Sequence, residues 1–168
     1  MSISAFQAAI VSPALQHVAA HWLSARGAHR MPPWSAINPR AIAAELPILW
    51  SYKYDAASDS FTGRLFGERI AHIFGRNIRG VPMREIYPSK DHAHLFARSR
   101  RVVCEPVLFH GQGLVFQHLE RYGQGERIMM PLGEDGETGD GLLGATVYEA
   151  RLGDPGASES EIESWFAL

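Results

Sequence analysis

The run Phe61-Thr62-Gly63-Arg64-Leu65-Phe66-Gly67-Glu68-Arg69-Ile70-Ala71-His72-Ile73-Phe74-Gly75 reads as a short strand, Phe61 to Phe66, that turns at Gly67 into an amphipathic helix and stops at Gly75. Just before it, Ile48, Trp50, Tyr52 and Tyr54 alternate with Leu49, Ser51 and Lys53, the period of a strand. The turn from Asp55 to Ser60 leaves these two strands antiparallel and adjacent. A hairpin that runs straight into helix needs further strands to complete a sheet and a place to lay the helix down.

The flanking sequence supplies both. Ser12 and Pro13 suit the cap and first turn of a helix whose apolar stripe is Leu15, Val18, Ala19, Trp22 and Leu23, ending at Gly27. After the linker Met31-Pro32-Pro33-Trp34, a short helix is expected from Asn38-Pro39 to Pro47. Beyond a loop from Gly75, Met83 to Tyr87 forms one helical turn halted by Pro88. Ser89 then caps a longer helix over 90–102 that carries Leu95, Phe96, Ser99, Val102 and Val103. Glu105 to His110, Leu114 to Tyr122, Glu126 to Leu132 and Leu142 to Ala150 read as strands. Gly111-Gln112-Gly113, Gly123-Gln124-Gly125 and Gly133 to Gly141 are read as the turns between them. With the first of these four taken as an extension of the next, five main strands result. Ser160 to Leu168 reads as a short acidic helix carrying Ile162, Trp165 and Phe166. The plan is α+β, one antiparallel sheet with its helices gathered on one side plus an N-terminal helix.

A chain of 168 residues, 46% hydrophobic, is expected to be one globular domain. It has no apolar run long enough to span a bilayer and no signal-peptide pattern at its start, which places it in the cytoplasm, without a membrane. The single cysteine, Cys104, excludes an internal disulfide and is read as a small core or strand residue. Charge is uneven: residues 134–168 carry nine of the 18 acids and one of the 16 lysines and arginines. An anionic ligand or partner is conceivable for the basic part, but only Lys53 and Lys90 are lysines, which argues against nucleic-acid binding.

Trp50 to Tyr54, Phe61 to Gly75, Gly80, Glu85-Ile86-Tyr87-Pro88, Pro131-Leu132-Gly133-Glu134-Asp135-Gly136 and Leu143-Gly144-Ala145 stand in the order used by a bacterial branch of the PAS (Per-Arnt-Sim) family, often found as short stand-alone proteins. The chain resembles that family over about residues 30–150. What the resemblance implies is a five-stranded antiparallel sheet whose flanking helices enclose a pocket for a small molecule or cofactor. On it the chain divides into an N-terminal amphipathic helix (1–30), a PAS-like domain (31–150) and an acidic tail or short helix (151–168).

The candidate chemistry is sparse. Light-sensing flavin members need a cysteine on the helix after the second strand, and here that region is Gly75-Arg76-Asn77-Ile78, so a covalent flavin is not expected. Haem-binding members take an axial histidine from the long helix of the insertion, where this chain offers His92 and His94, of which at most one faces a pocket. His17 and His21 lack the glutamate of a His-Glu-x-x-His zinc site and read as a surface pair, so no metal is assigned. Asp91, His92 and Glu85 are the residues an enzyme reading would use, with no nucleophile motif beside them. Walls for the pocket are expected from Trp50, Tyr52, Phe66, Ile70, Phe74, Ile86, Tyr87, Leu95 and Met130, with Arg64, His92 and Tyr148 as polar partners for a ligand. The stripe Leu15, Val18, Trp22 and Leu23, with Trp165 and Phe166, is expected either in the chain's own core or at an interface with a second copy or a signalling partner. Three functions follow: a sensory module that binds a small ligand and signals through a helix-mediated interface, a ligand-free scaffold, or a small enzyme.

Overall fold

The computed structural model describes residues 2–87, 89–156 and 159–168, with the side chains of residues 89 and 90 left out. The stop at Pro88 therefore lies outside the described residues, as does the side chain with which Ser89 is expected to cap its helix. Helices α1 (Ile3–Ala9) and α2 (Pro13–Arg26) precede strands β1 (Leu49–Asp55) and β2 (Ser60–Phe66). Next come α3 (Glu68–Phe74), α4 (Met83–Ile86) and α5 (Ser89–Cys104), and then β3 (Val107–His118), β4 (Arg121–Leu132), β5 (Gly141–Leu152) and β6 (Glu161–Ala167). All strand pairs are antiparallel, in the order β2-β1-β5-β4-β3-β6. The architecture is the expected α+β plan, with six strands where five were counted.

Both faces of the sheet are covered. On one, α1 and α2 lay Phe6, Leu15, Val18 and Trp22 on Leu49, Leu108, Ile128, Met130, Leu132, Leu143 and Ala145. On the other, α3, α4 and α5 bring Ile70, Met83, Ile86, Leu95, Val102 and Val103 against Trp50, Tyr52, Phe109, Met129 and Leu142. Because strand side chains alternate, odd residues of β4 face α5 and even ones face α2.

Helix α2 begins as its residues dictate: Ser12 accepts from the Leu15 N–H, Pro13 takes the first turn, and Gly27 follows the last residue with φ +55°. What docks it is less local. The Glu126 carboxylate accepts from the N–H groups of Val11 (2.8 Å) and Ser12 (2.7 Å) at the α1–α2 junction and lies 2.7 Å from Nε2 of His110. Trp22 donates its indole N–H to the Pro131 carbonyl at 2.9 Å from a fully buried position. A carboxylate of 6% exposure is tolerable because each contact replaces a water it lost.

Several expectations change. The N-terminal region holds two helices rather than one, and the segment from Asn38 to Pro47 forms turns and a 3-10 helix over Ala43–Ile48 with Pro47 inside it. The Gly111-x-Gly113 and Gly123-x-Gly125 pairs are not turns. They lie within β3 and β4 and face each other (Gly113 opposite Gly125), while the hairpin reverses at Leu119 and Glu120. Cys104 is exposed, because Val102 and Val103 fill the buried face at the end of α5.

The C-terminal segment is a strand, not a short acidic helix: Glu161 to Ala167 pairs with Gly113 to Val107 along the edge of the sheet. Its side chains alternate, Phe166 entering the α2 side and Trp165 the α5 side. Leu15, Val18 and Trp22, offered as interface residues, have no exposed surface, and Leu23 packs beside them. With Phe166 at 4% exposure and Trp165 partly buried, the stripe packs within its own chain.

Glu126→Ala removes the acceptor from two backbone N–H groups and the partner from His110. Urea denaturation should register a loss of about 3–5 kcal/mol, with Glu126→Gln losing less. A loss under about 1 kcal/mol would mean that the junction does not rest on this carboxylate.

Candidate functional site

A cavity of about 490 Å³ lies between the α5 side of the sheet and the helices above it. Trp50 and Phe66 enter from β1 and β2, Ile70, Ile73 and Phe74 from α3, and Tyr87 from the end of α4. Helix α5 contributes Asp91, His94, Leu95 and Arg98 at i, i+3, i+4 and i+7, one face of a helix. Leu114 to His118 of β3, Arg127 of β4 and Thr146 of β5 form the floor, and Ser160, Glu161 and Glu163 close one side.

Two aromatic walls lie flat because glycine sits beneath them. Trp50 pairs with Gly144 and Phe116 with Gly123 across neighbouring strands, and a Cβ at either glycine would fall inside the ring above it. The indole N–H of Trp50 then donates to Thr146 Oγ1 at 2.9 Å, which fixes its tilt. Phe116 meets Tyr148 edge to face at 4.8 Å. Tyr148 is in turn locked to α3: its hydroxyl donates to the Arg69 carbonyl at 2.6 Å, and Arg69 donates to the Tyr148 carbonyl at 2.8 Å. Beneath Tyr87 lies Tyr52, their hydroxyls 3.3 Å apart. Burial first, then Tyr87, pushes the Tyr52 phenol well above its ordinary pKa, so it stays neutral.

The polar side of the cavity is a charge cluster. Arg98, with 4% of its side chain exposed, contacts Glu161 at 2.9 Å and Glu163 at 2.5 Å, and its guanidinium lies 4.7 Å from the Phe109 ring. Arg127 grips Glu161 through both Nε and Nη2, each at 2.7 Å. His94 Nε2 stands 3.0 Å from Glu163. Burial, followed by the charge of Arg127, lowers the Arg98 pKa, and the two glutamates offset this. Burial alone would raise the Glu163 carboxyl, but Arg98 and His94 bring it below its ordinary value, so it is ionised at neutral pH.

Of the residues expected at the site, Trp50, Phe66, Ile70, Phe74, Tyr87 and Leu95 meet on the cavity wall. Tyr52 and Ile86 lie in the core layer behind it, and Tyr148 backs Phe116. Met130 is on the opposite face, under α1 and α2, because the even residues of β4 point away from α5, and Met129 is the one that faces the α5-side core. Arg64 lies over the Trp34 ring at 4.8 Å, and Trp34 packs with the α2-side core. His92 stacks against Phe96 rather than lining the cavity. His94 does line it, with its Nε2 beside Glu163 and Arg98. Of Asp91, His92 and Glu85, Asp91 alone lines the cavity, and Glu85 is exposed. His17 contacts Glu45 at 3.0 Å, and His21 accepts from the Asn38 N–H.

Sequence reasoning did not find Arg98, Arg127, Phe116, Glu161 and Glu163. A signal for the last two was present: Glu159, Glu161, Glu163 and Trp165 alternate with Ser160, Ile162, Ser164 and Phe166, a period of two.

A family model described as a PAS domain matches residues 10–147. No curated protein and no solved structure matches the chain. Among the described residues, no helix is long and apolar enough to cross a membrane.

Gly144→Ala should tilt the Trp50 indole off the sheet and break its bond to Thr146. The expected result is a loss of about 1–3 kcal/mol and a shifted Trp50 indole N–H resonance. An unmoved resonance would show that the glycine is not what seats this wall.

Proposed function

Because the chain belongs to the PAS domain family, whose members are sensory and regulatory domains, we propose that it binds one small molecule in the α5-side cavity and passes the event to a partner protein. The observation that carries this reading is the make-up of the cavity: about 490 Å³, walled by Trp50, Phe66, Phe74 and Phe116, with charged groups confined to one side. Small-molecule sites have this composition, an apolar body with a few placed polar groups. A cavity needed only for packing would be expected to fill with side chains, as the α2 side of the sheet is filled.

The walls come from β1, β2, α3, α5 and β3, so a ligand touching all of them changes the relative stability of their arrangements. Output passes through a surface other than the α2 stripe, which the chain's own core occupies. We read its chemistry as recognition: of Asp91, His92 and Glu85, Asp91 alone lines the cavity.

Native mass spectrometry with an absorbance spectrum on protein purified from its own host, followed by thermal melts against a metabolite panel, tests the reading. One bound mass per chain, or a melting-temperature rise equivalent to about 2.7 kcal/mol at a hundredfold excess over Kd, is expected. Leu114→Trp should cancel the rise while far-UV circular dichroism is unchanged. A protein that is clean of ligand and gives no thermal response to the panel would point to a ligand-free scaffold.

A further inference from the structure

Resting on that reading of the cavity, we infer that its ligand is an aryl or alkyl carboxylate, whose anionic end takes the place of Glu163 on Arg98 and thereby loosens β6. The argument begins with Arg98. It lines the cavity and is almost wholly buried, yet its Nε–H has no acceptor among the described residues. A buried guanidinium donor without a partner is costly, and an incoming acceptor removes that cost.

Neither glutamate has a buried oxygen left unpaired as the Arg98 Nε–H is, among the described residues. Glu161 has both oxygens engaged, one on Arg127 Nε and the other on Arg127 and Arg98, and Glu163 meets Arg98 and His94 through Oε1. An amine ligand on the remaining oxygen of Glu163 would still leave the Arg98 Nε–H unpaired.

The two glutamates differ in how readily they yield. Glu161 is 7% exposed and held in two-pronged fashion by Arg127, whereas Glu163 is 26% exposed and reached by a single Arg98 nitrogen. A ligand carboxylate that displaces Glu163 leaves the charge of the cluster unchanged and sends the displaced carboxylate to water, where ionised groups are cheapest. An added anion with both glutamates in place would instead meet uncompensated repulsion from Glu161, Glu163 and Asp91. The aromatic walls supply the apolar body of the ligand with its burial.

Exchange at Glu163 reaches β6 directly. This strand has one neighbour, β3, and lies beyond residues 10–147 matched by the family model. Its other side-chain ties include Glu161 to Arg127 and Arg98, Trp165 against Phe109 and under Arg101 at 4.1 Å, and Phe166 in the core. Losing Glu163 leaves those in place, so the strand loosens around residues 162–164 rather than leaving the sheet.

The test uses the full chain and matched probes: phenylacetate, 4-phenylbutyrate and octanoate, the amide of each, and 4-phenylbutylamine, with affinities from calorimetry and backbone exchange followed by hydrogen–deuterium exchange. At least one acid should bind tenfold or more tightly than its amide. Glu163→Gln should strengthen that acid several-fold and leave the amide unchanged, and amides 162–164 should exchange several-fold faster with the acid alone. Acids and amides binding equally, or the amine binding best, would overturn the carboxylate inference and leave the cavity reading intact. Acid selectivity with unaltered exchange in β6, or with no response to Glu163→Gln, would overturn the exchange at Glu163. If no probe binds, this inference falls, while the cavity reading still stands or falls on the bound mass and the metabolite panel.

Discussion

Both faces of one antiparallel sheet are covered in this protein, and the other features of the molecule follow from that constraint. Where a strand is covered on both faces, each side chain is committed to one of two cores by the parity of its position. On β4 this sends Ile128, Met130 and Leu132 under α1 and α2, and Arg127 and Met129 toward α5. The two cores differ in kind. The α2 side is closed by Phe6, Leu15 and Trp22 and pinned by Glu126, whereas the α5 side keeps an aromatic cavity open.

What keeps it open is rigidity in the walls. Aromatic rings pressed onto glycines cannot swing into the space, and the reciprocal Arg69–Tyr148 bonds hold α3 at a set distance from β5. On the polar side, Arg98 and Arg127 stay buried because Glu161 and Glu163 meet them. Charges of this kind contribute little net stability as a pair, yet removing one partner leaves the other buried and uncompensated. That makes the cluster sensitive to whatever anion occupies it. The uneven charge along the chain thus has a local meaning, since the acidic C-terminal segment supplies the counter-charges for the basic helix α5.

Much of the fold was legible in the residues. The Ser12-Pro13 start and Gly27 stop of α2, the β1–β2 hairpin and the strand-to-helix run ending at Gly75 are local signals, and local rules read them correctly. Several residues that line the cavity, Trp50, Phe66, Ile70 and Phe74, are expected there from that periodicity taken together with the family resemblance. The misreadings share a cause. Gly111, Gly113, Gly123 and Gly125 carry turn chemistry in isolation, but in the sheet they make room for Phe116, for the neighbouring backbone at Ser160 and Val147, and for the Glu161 carboxylate. Met130 and Met129 are equally apolar, and nothing in their immediate neighbours says which faces α5. The Glu-x-Glu alternation before Trp165 was visible, but acidic residues suggested a solvated helix, and only the arginines opposite them make burial tolerable.

By itself, then, the sequence determined the order of elements from β1 to β5, the single antiparallel sheet and the apolar stripes of its helices, because capping, periodicity and turn chemistry act over a few residues. Only the tertiary structure decided which core each strand face enters, that β6 completes the sheet, and that Arg98, Arg127, Glu161 and Glu163 meet at one cavity. Those outcomes depend on strand register and on pairs of charges brought together from α5, β4 and β6, and a buried charge is stable only in the presence of a partner that the chain places there by folding.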